Sequence, residues 1–279
     1  GKTEVALRAA FKAVQGGKQV AFLVPTTILA QQHYISFRAR LTGFPVTVAF
    51  LSRFLSKREQ GDVLARVASG EVDILVGTIR MLKEDVAFKD LGLLIIDEEH
   101  RFGVMSKEKM KQARENIDVL MLSATPIPRT LSMSLRGLRS ISVLNEAPQD
   151  RVPVMTTSAP WSEMIVRKAV SRELERGGQV YYVANRTAGM DRKLALLRRM
   201  FPDVMIEMAH GRVKDRELEE TMMNFFDGRT RILLSTTIIE SGLDIPGANT
   251  IIVEDSQDLG LAQMYQLRGR VGRREEAAF

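Results

Sequence analysis

Three short motifs in the chain carry side chains that could act on phosphate groups. The first is Gly1-Lys2-Thr3, which matches the end of the phosphate-binding pattern G-x-x-x-x-G-K-[ST]. Glycine lets the backbone approach phosphate, the lysine would reach the β- and γ-phosphates, and the threonine hydroxyl would bind Mg²⁺. Alone, such a tripeptide is most often a chance match. Because the sequence opens inside the pattern, we expect the preceding strand and most of the loop to be missing.

A pair of carboxylates supplies the second motif. Asp97 and Glu98 follow the apolar run 91–96, so we expect them at the carboxyl end of a buried strand, where open parallel sheets bind ligands. Asp97 would hold Mg²⁺, directly or through water, and Glu98 would polarise the attacking water as general base. The plain alternative is an acidic turn at a strand end. Together with Lys2 and Thr3, however, the pair favours a site that hydrolyses a nucleotide.

Arginines in the second half of the chain form the third motif. Arg270 and Arg273 are three residues apart, which predicts that they share one face of a helix. Guanidinium groups suit bidentate contact with phosphate, so both side chains would act as arginine fingers that stabilise transition-state charge when two domains close. The plain alternative is a solvated basic patch.

Strands and helices in alternation would have to position these motifs. Apolar runs typical of strands buried on both faces occupy 19–24, 73–76, 93–96, 119–122, 179–184, 231–235 and 250–254. Segments 3–15 and 214–227, which lie outside these runs, have the pattern of helices. The alternation predicts α/β units with parallel sheets. The proline-containing segment 145–153 predicts a boundary between one domain at 1–150 and a second at 151–279, and leaves open whether the two are a structural duplication.

Composition limits the possible classes of protein. Of the 279 residues, 45% are hydrophobic and 27% charged, which excludes a mostly disordered chain. The absence of cysteine excludes disulfide scaffolds and thiolate metal sites and favours a reducing compartment, so we expect a cytoplasmic protein. The net charge of +6 permits a polyanionic partner. We expect no membrane partner, since no apolar run reaches the roughly 20 residues of a membrane helix.

Taken in order along the chain, further motifs resemble those of the superfamily 2 helicases and translocases. The matching segments are GKT (1–3), PTTILAQQ (25–32), VGT (76–78), DEEH (97–100), SAT (123–125), HG (210–211), STTIIESGLDIP (235–246) and QLRGRVGR (266–273). Within this superfamily, DEEHRFGV (97–104) and GGQVYYVANR (177–186) look more like the transcription-repair coupling factors than like the RecG-like helicases.

The resemblance implies two tandem RecA-like domains that use ATP and Mg²⁺. Gly242 and Asp244 of the second domain would help to position nucleotide or water, opposite the nucleotide-binding residues Gly1, Lys2 and Thr3 of the first. Residues implied to couple hydrolysis to domain movement are His100, Ser123, Thr125 and Gln266. The implied partners are double-stranded DNA and, through regions outside this sequence, RNA polymerase and nucleotide-excision-repair proteins.

The resemblance also implies a nucleic-acid track at strand-to-helix turns. Hydroxyl residues and glycines there would present backbone N–H groups to phosphate, which suits a motor that must move along any sequence. The implied contacts are Thr26, Thr27, Gly77, Thr78, Asn185, His210, Gly211, Thr236 and Thr237. The plain alternative for each residue is helix capping or turn formation.

We therefore expect an ATP-dependent translocase motor on double-stranded DNA that, in a whole coupling factor, displaces stalled RNA polymerase during DNA repair. The nearer alternative is a RecG-like helicase that remodels forks and junctions. The alternative of another class is a catalytically inactive fragment that binds nucleotide or DNA. A single-domain kinase or GTPase would leave the arginine motif unexplained.

Overall fold

The structure is a computed structural model of the chain. It describes residues 1–99, 102, 117–123, 140–144, 153–237, 242–272 and 277–279, with only the backbone of Asp215. The chain divides into two compact units, Gly1–Ala147 and Pro148–Phe279. Each unit is built on a parallel β-sheet with helices between its strands, which confirms the predicted α/β class. The segment in which the sequence predicts the domain boundary lies mostly outside the described residues.

The described part of the first unit contains a sheet of five parallel strands. Its strands are β1 (Gln19–Leu23), β2 (Val48–Leu51), β3 (Ile74–Gly77), β4 (Leu91–Asp97) and β5 (Asp118–Leu122). Its helices are α1 (Lys2–Gln15), α2 (Thr27–Arg40) and α3 (Lys57–Ser69), with a short 3-10 helix at Ile79–Leu82. The spatial order is β2-β3-β1-β4-β5. Because β1 and β3 lie inside the sheet, they are buried at every position.

Local signals in the sequence explain where the helices begin and end. Helix α3 begins after Ser56, whose hydroxyl accepts the N–H of Glu59 while the Glu59 carboxylate accepts the N–H of Ser56. The same helix ends at Gly70, which has a φ of +83° and so takes the left-handed conformation that favours glycine. Helix α2 begins after Thr26, whose hydroxyl accepts the N–H of Leu29 at 3.3 Å.

The described part of the second unit contains a sheet of four parallel strands. Its strands are β6 (Gln179–Val183), β7 (Ile206–Ala209), β8 (Ile232–Ser235) and β9 (Ala248–Val253). Its helices are α4 (Glu163–Glu175), α5 (Met190–Met200), α6 (Asp215–Phe226) and α7 (Leu261–Arg268), with a 3-10 turn at Ser256–Asp258. The spatial order is β7-β8-β6-β9. Among the described residues, no helix is both long and apolar enough to cross a membrane.

The two units repeat one topology. In each, the first strand pairs with the third and the fourth, and the second strand lies at the edge beside the third. A buried glutamine opens the first strand of both. The side-chain amide of Gln19 donates to carbonyls at the end of α3 and before β3, at 2.9 and 2.8 Å. Gln179 donates in the same way to carbonyls at the end of α6 and before β8, at 2.6 and 2.7 Å. The question that the sequence left open is thus answered: the arrangement occurs twice.

All seven apolar runs predicted as strands are strands in the structure, and both predicted helices are confirmed as α1 and α6. The sequence analysis missed β2 and β7. In β7, Glu207 interrupts the apolar run, whereas β2 (VAFL) is a short apolar run that the sequence analysis overlooked.

Candidate functional site

The predicted residues of the first unit line one edge of its sheet. Because β1, β3, β4 and β5 run parallel, their carboxyl ends meet at the same edge. Thr26 and Thr27 follow β1, Gly77 and Thr78 end β3, Asp97 and Glu98 end β4, and Ser123 follows β5. Helix α1 presents its first turn to this edge, as the contact between Lys2 and Glu98 shows.

An ion pair joins the first two motifs of the sequence. Lys2 Nζ lies 3.0 Å from Glu98 Oε1, although 96 residues separate them in the chain. The side chain of Glu98 is 7% exposed and that of Lys2 is 33% exposed. Since water screens such a pair less than one at the surface, the attraction between the two charges is stronger than in a typical exposed salt bridge.

The backbone holds the two carboxylates in a fixed arrangement. The N–H of Glu98 donates both to Asp97 Oδ1 and to the carbonyl of Leu122, each at 3.0 Å. Glu98 has a φ of +49°, a left-handed conformation that costs about 1 kcal/mol or more for a side chain with a Cβ. Such strain concentrates at functional sites, where surrounding contacts enforce it. Here those contacts turn the Glu98 side chain toward Lys2.

A histidine that the sequence analysis did not select completes this cluster. His33 lies in α2 and is 6% exposed. Its Nε2 lies 3.4 Å from Asp97 Oδ2, and its ring packs against that of Phe22 at a centroid distance of 4.6 Å. The available signal was a histidine in a segment whose other inward positions include Ile28, Leu29 and Phe37. Its approach to Asp97 becomes visible only once the helix is packed on the sheet.

The donor set of this edge fits a nucleotide-bound Mg²⁺. A carboxylate and a hydroxyl, from Asp97 and Thr3, are hard oxygen ligands of the kind that Mg²⁺ prefers, and the ammonium of Lys2 suits phosphate. Among the described residues, no group of three or more acidic or imidazole side chains could hold a metal by itself. Mg²⁺ sites commonly use one or two carboxylates and share the ion with substrate phosphates.

Capping and packing account for several predicted nucleic-acid contacts of the first unit. The hydroxyl of Thr26 caps α2, and Thr27 is 4% exposed. A Cβ at Gly77 would lie 2.7 Å from the carbonyl oxygen of Leu51, so this position excludes any side chain. Thr78 is half-buried at the start of the 3-10 helix. The side chains of Thr26 and Thr27 therefore serve the helix start and the packing, and contact of this edge with phosphate stays a prediction.

The predicted contacts of the second unit also follow parallel strands. Asn185 follows β6, His210 and Gly211 follow β7, and Thr236 and Thr237 follow β8. An open groove of about 390 Å³ lies here, lined by Asn185, Arg186, Thr237, Asp258, Leu259 and Gln263. The Nδ2 of Asn185 donates to the carbonyl of Asp255 at 2.5 Å. The groove thus carries two of the predicted residues and the guanidinium of Arg186.

A buried network supports the neighbouring end of β9. Tyr182 donates to the carboxylate of Glu254, which also pairs with Lys193. Trp161 Nε1 donates to the Tyr182 hydroxyl at 3.1 Å. Burial raises the pKa of Tyr182, and the hydrogen bond from Trp161 opposes that rise. The phenol is therefore held in its neutral, donating form.

The remaining predicted residues lie in the second unit or outside the described part of the chain. Gly242 has a φ of +76°, the conformation that favours glycine, and Asp244 and Gln266 are half-buried. Arg270 is 7% exposed and lies in the turn after α7. The prediction that Arg270 sits on a helical face is therefore wrong, because α7 ends at Arg268 and Gly269 begins the turn. His100, Thr125 and Arg273 lie outside the described residues.

Comparison with known proteins agrees with this arrangement. Residues 1–134 match the family model of DEAD/DEAH box helicases, and residues 163–275 match the helicase conserved C-terminal domain. The chain is 52% identical over 279 residues to the transcription-repair-coupling factors of Bacillus subtilis (strain 168) and Escherichia coli (strain K12). It covers 24% of each, so it spans about a quarter of the length of these relatives.

Solved structures give the same assignment. The structure of RecG bound to a three-way DNA junction superposes with a TM-score of 0.81 at 38% identity, over 98% of this chain and 37% of that one. Saccharomyces cerevisiae Dbp5 bound to RNA and ADP BeF3 reaches a TM-score of 0.65 at 16% identity, over 100% of this chain and 75% of that one, which shows a shared fold alone. With the DEAD/DEAH box and helicase C-terminal models matched in order over most of the chain, the chain belongs to the helicases and is similar along nearly its whole length to the matching segments of the coupling factors and of RecG.

Proposed function

We propose that this chain is the ATP-driven motor of a transcription-repair coupling factor, a translocase on double-stranded DNA that displaces stalled RNA polymerase. The identity of 52% to coupling factors along the whole chain supports this choice within the family. The observation that carries the hydrolytic part is the ion pair between Lys2 and Glu98 beside Asp97. It supports the proposal because the side chains proposed to bind phosphate, to act as base and to hold the metal lie close together at one sheet edge.

The ion pair makes base activation depend on the nucleotide. Bound ATP with Mg²⁺ supplies the phosphoryl group and the counter-charge that stabilises its transfer. Lys2 would bind the phosphates, and Thr3 and Asp97 would hold the ion. Phosphate would compete with Glu98, to which Lys2 is paired at 3.0 Å, for the same ammonium. Glu98 Oε1 would then act on the attacking water as the proposed general base.

The second unit supplies the remaining parts of the proposed motor. Arg270 and Arg273 would stabilise the charge that develops on the transferred phosphoryl group. Gly242 gives its loop the positive φ that the turn requires, and Asp244 would orient nucleotide or water. Contact with DNA would fall to the carboxyl edges of both sheets, where N–H groups face phosphate without reading bases.

A test of this function measures hydrolysis and movement together in the whole protein. We expect duplex DNA to stimulate ATP hydrolysis, and ATP to drive displacement of a third strand from a DNA triplex. The Glu98→Gln variant should bind ATP and do neither. The proposal would be contradicted if duplex DNA left the rate of ATP hydrolysis unchanged and ATP drove no displacement of the third strand.

The similarity to RecG, at a TM-score of 0.81, favours one second candidate, a helicase that remodels junctions. Displacement of a stalled polymerase supports the coupling factor, whereas regression of a model fork without polymerase displacement supports the RecG-like function. RNA polymerase and nucleotide-excision-repair proteins are proposed as partners of the whole protein. A nucleotide titration that finds no affinity in the whole protein would favour an inactive binding segment instead. The cytoplasmic location stays a prediction.

A further inference from the structure

We infer that His33 is a positioning residue for Asp97, which it holds in the orientation needed to take Mg²⁺ together with the nucleotide. This inference rests on the proposed function, because it assigns a task within the same site. His33 is neither expected to touch the nucleotide nor to exchange a proton in the reaction.

The contacts of Asp97 carry the first step of the argument. Its Oδ1 accepts the N–H of Glu98 at 3.0 Å, which fixes one oxygen through the backbone. The other oxygen, Oδ2, faces Nε2 of His33 at 3.4 Å. A carboxylate with only one of these contacts could rotate about its side-chain torsions. The close approach of His33 to the second oxygen restricts that rotation, which is how outer partners orient metal-binding carboxylates.

The surroundings of His33 show that the imidazole is held in place. Its ring packs against Phe22 at 4.6 Å between centroids, and the residue is 6% exposed. Its Nδ1 is buried and has no hydrogen-bond partner among the described residues. A merely core-filling residue at this place would not need a nitrogen, since burying an unsatisfied polar atom costs stability. The polar contact that the ring does make is the one with Asp97.

The second unit contains the counterpart of this pair. His33 lies ten residues after Leu23, the end of β1, and Lys193 lies ten residues after Val183, the end of β6. Both belong to the helix that follows the first strand of their unit. Just as His33 faces Asp97, Lys193 pairs with Glu254, which directly follows β9. The topology thus brings a nitrogen from this helix to the carboxylate after the fourth strand in both units.

The chemical difference between the two pairs indicates their tasks. The ammonium of Lys193 cancels the charge of Glu254, which Tyr182 contacts as well. That carboxylate is therefore saturated and serves the structure. An imidazole is a directional ring without the permanent charge of an ammonium, so its position beside Asp97 suits orientation of a carboxylate whose charge is proposed to serve a cation. The unit with the predicted nucleotide motif carries the histidine.

Three substitutions separate orientation from packing. His33→Phe keeps a ring against Phe22 and removes both nitrogens. His33→Gln restores an N–H donor near the position of Nε2. His33→Lys reproduces the lysine–carboxylate pair of the second unit and places a permanent positive charge beside Asp97. Asp97→Asn serves as the reference for loss of the metal ligand, and Lys193→Met is the matched control in the second unit.

The readout is the free Mg²⁺ concentration at half-maximal binding of a fluorescent ATP analogue to the whole protein. We expect His33→Phe and His33→Lys to raise this midpoint at least about tenfold, toward that of Asp97→Asn, as outer-shell substitutions do. His33→Gln should return it to within about threefold of wild type. Lys193→Met should lower the melting temperature and leave the midpoint unchanged, because its carboxylate binds no metal.

Each outcome decides the inference. A wild-type midpoint in folded His33→Phe, or in His33→Lys should the phenylalanine variant not fold, would overturn it. So would a glutamine variant as impaired as the phenylalanine variant. The proposed function survives these results if wild type still shows hydrolysis stimulated by duplex DNA. Wild type that binds no nucleotide at any Mg²⁺ concentration would overturn both.

Discussion

The fourth strand of each unit is followed by an acidic residue with positive φ, but the side chains around the two residues differ. Register aligns Leu23 with Ile96 in the first sheet and Val183 with Val253 in the second. The residue two positions beyond that alignment is Glu98 in one unit and Asp255 in the other. They have φ values of +49° and +48°, and they are the non-glycine residues with positive φ in the described part of the chain.

The residues that contact this turn differ between the two units, and the difference determines whether the acidic side chain lies beside a lysine. In the first unit the helix before the first strand opens with Lys2, which pairs with Glu98. The corresponding helix of the second unit opens with Glu163, and no lysine stands there. The carbonyl of Asp255 instead accepts Asn185 Nδ2. The fold therefore provides the strained acidic turn twice, and the first turn of one helix makes one copy a candidate for catalysis.

The largest expected effect is on the rate of ATP hydrolysis, and it comes from Arg270, the guanidinium that the second unit is proposed to contribute. Arg270→Ala should lower the kcat of ATP hydrolysis by about 10³-fold or more, the range for loss of an arginine finger. Steady-state hydrolysis with saturating duplex DNA measures it. Arg186→Ala, at the groove of the same unit, should raise the DNA concentration needed for stimulation and leave kcat near wild type. An unchanged kcat in Arg270→Ala would remove the second unit from the chemistry.

A smaller effect compares the two acidic turns directly. Glu98→Gln should reduce kcat by about 10² to 10⁴-fold, since it removes the general base but keeps shape and hydrogen bonding. Asp255→Asn, the matched change in the second unit, should leave kcat within about twofold because no step is assigned to that carboxylate. Equal losses in both variants would show that the strained turn matters structurally in each unit and that Glu98 has no special role.

The sequence predicted the parts of the molecule that local patterns determine. Runs of apolar residues predicted the strands inside the sheets and also the edge strands β5 and β9. Strand β7 was missed because Glu207 interrupts its run, and the four apolar residues of β2 were overlooked. Lys2 and Glu98 were predicted from motifs to share a site. His33 was not, because its contact with Asp97 depends on how α2 packs on the sheet, which the sequence does not show. Spacing alone could not show that the helix ends before Arg270.

Stability provides the next comparison, through the glutamines that open β1 and β6. Gln19→Ala should destabilise the first unit by about 2–4 kcal/mol, since it removes two donors to carbonyls and the acceptor of the Asp90 N–H. Gln179→Ala should cost about 2–3 kcal/mol, for two donors. Hydrogen exchange resolved by peptide should show each loss in its own unit. If one variant loses much stability and the other loses none, the two glutamines do not contribute equally to the stability of their units.

The smallest effects distinguish two positions that pair alike in their sheets. Gly77 lies beside Leu23, and Ser235 lies beside Val183. A Cβ at Gly77 would lie 2.7 Å from a carbonyl oxygen of β2, so Gly77→Ala should cost about 1–3 kcal/mol as the strands shift to make room. The hydroxyl of Ser235 is buried, with no hydrogen-bond partner in the described part of the chain.

Ser235→Ala should therefore change stability by less than about 0.5 kcal/mol, because it removes a polar atom that gains nothing from burial. Thermal unfolding and hydrogen exchange of β3 and β8 measure both variants. If Gly77→Ala changes stability as little as Ser235→Ala does, β3 can shift to accommodate a methyl group at little cost. The glycine of the predicted nucleic-acid track would then be explained by access of phosphate to the backbone rather than by packing against β2.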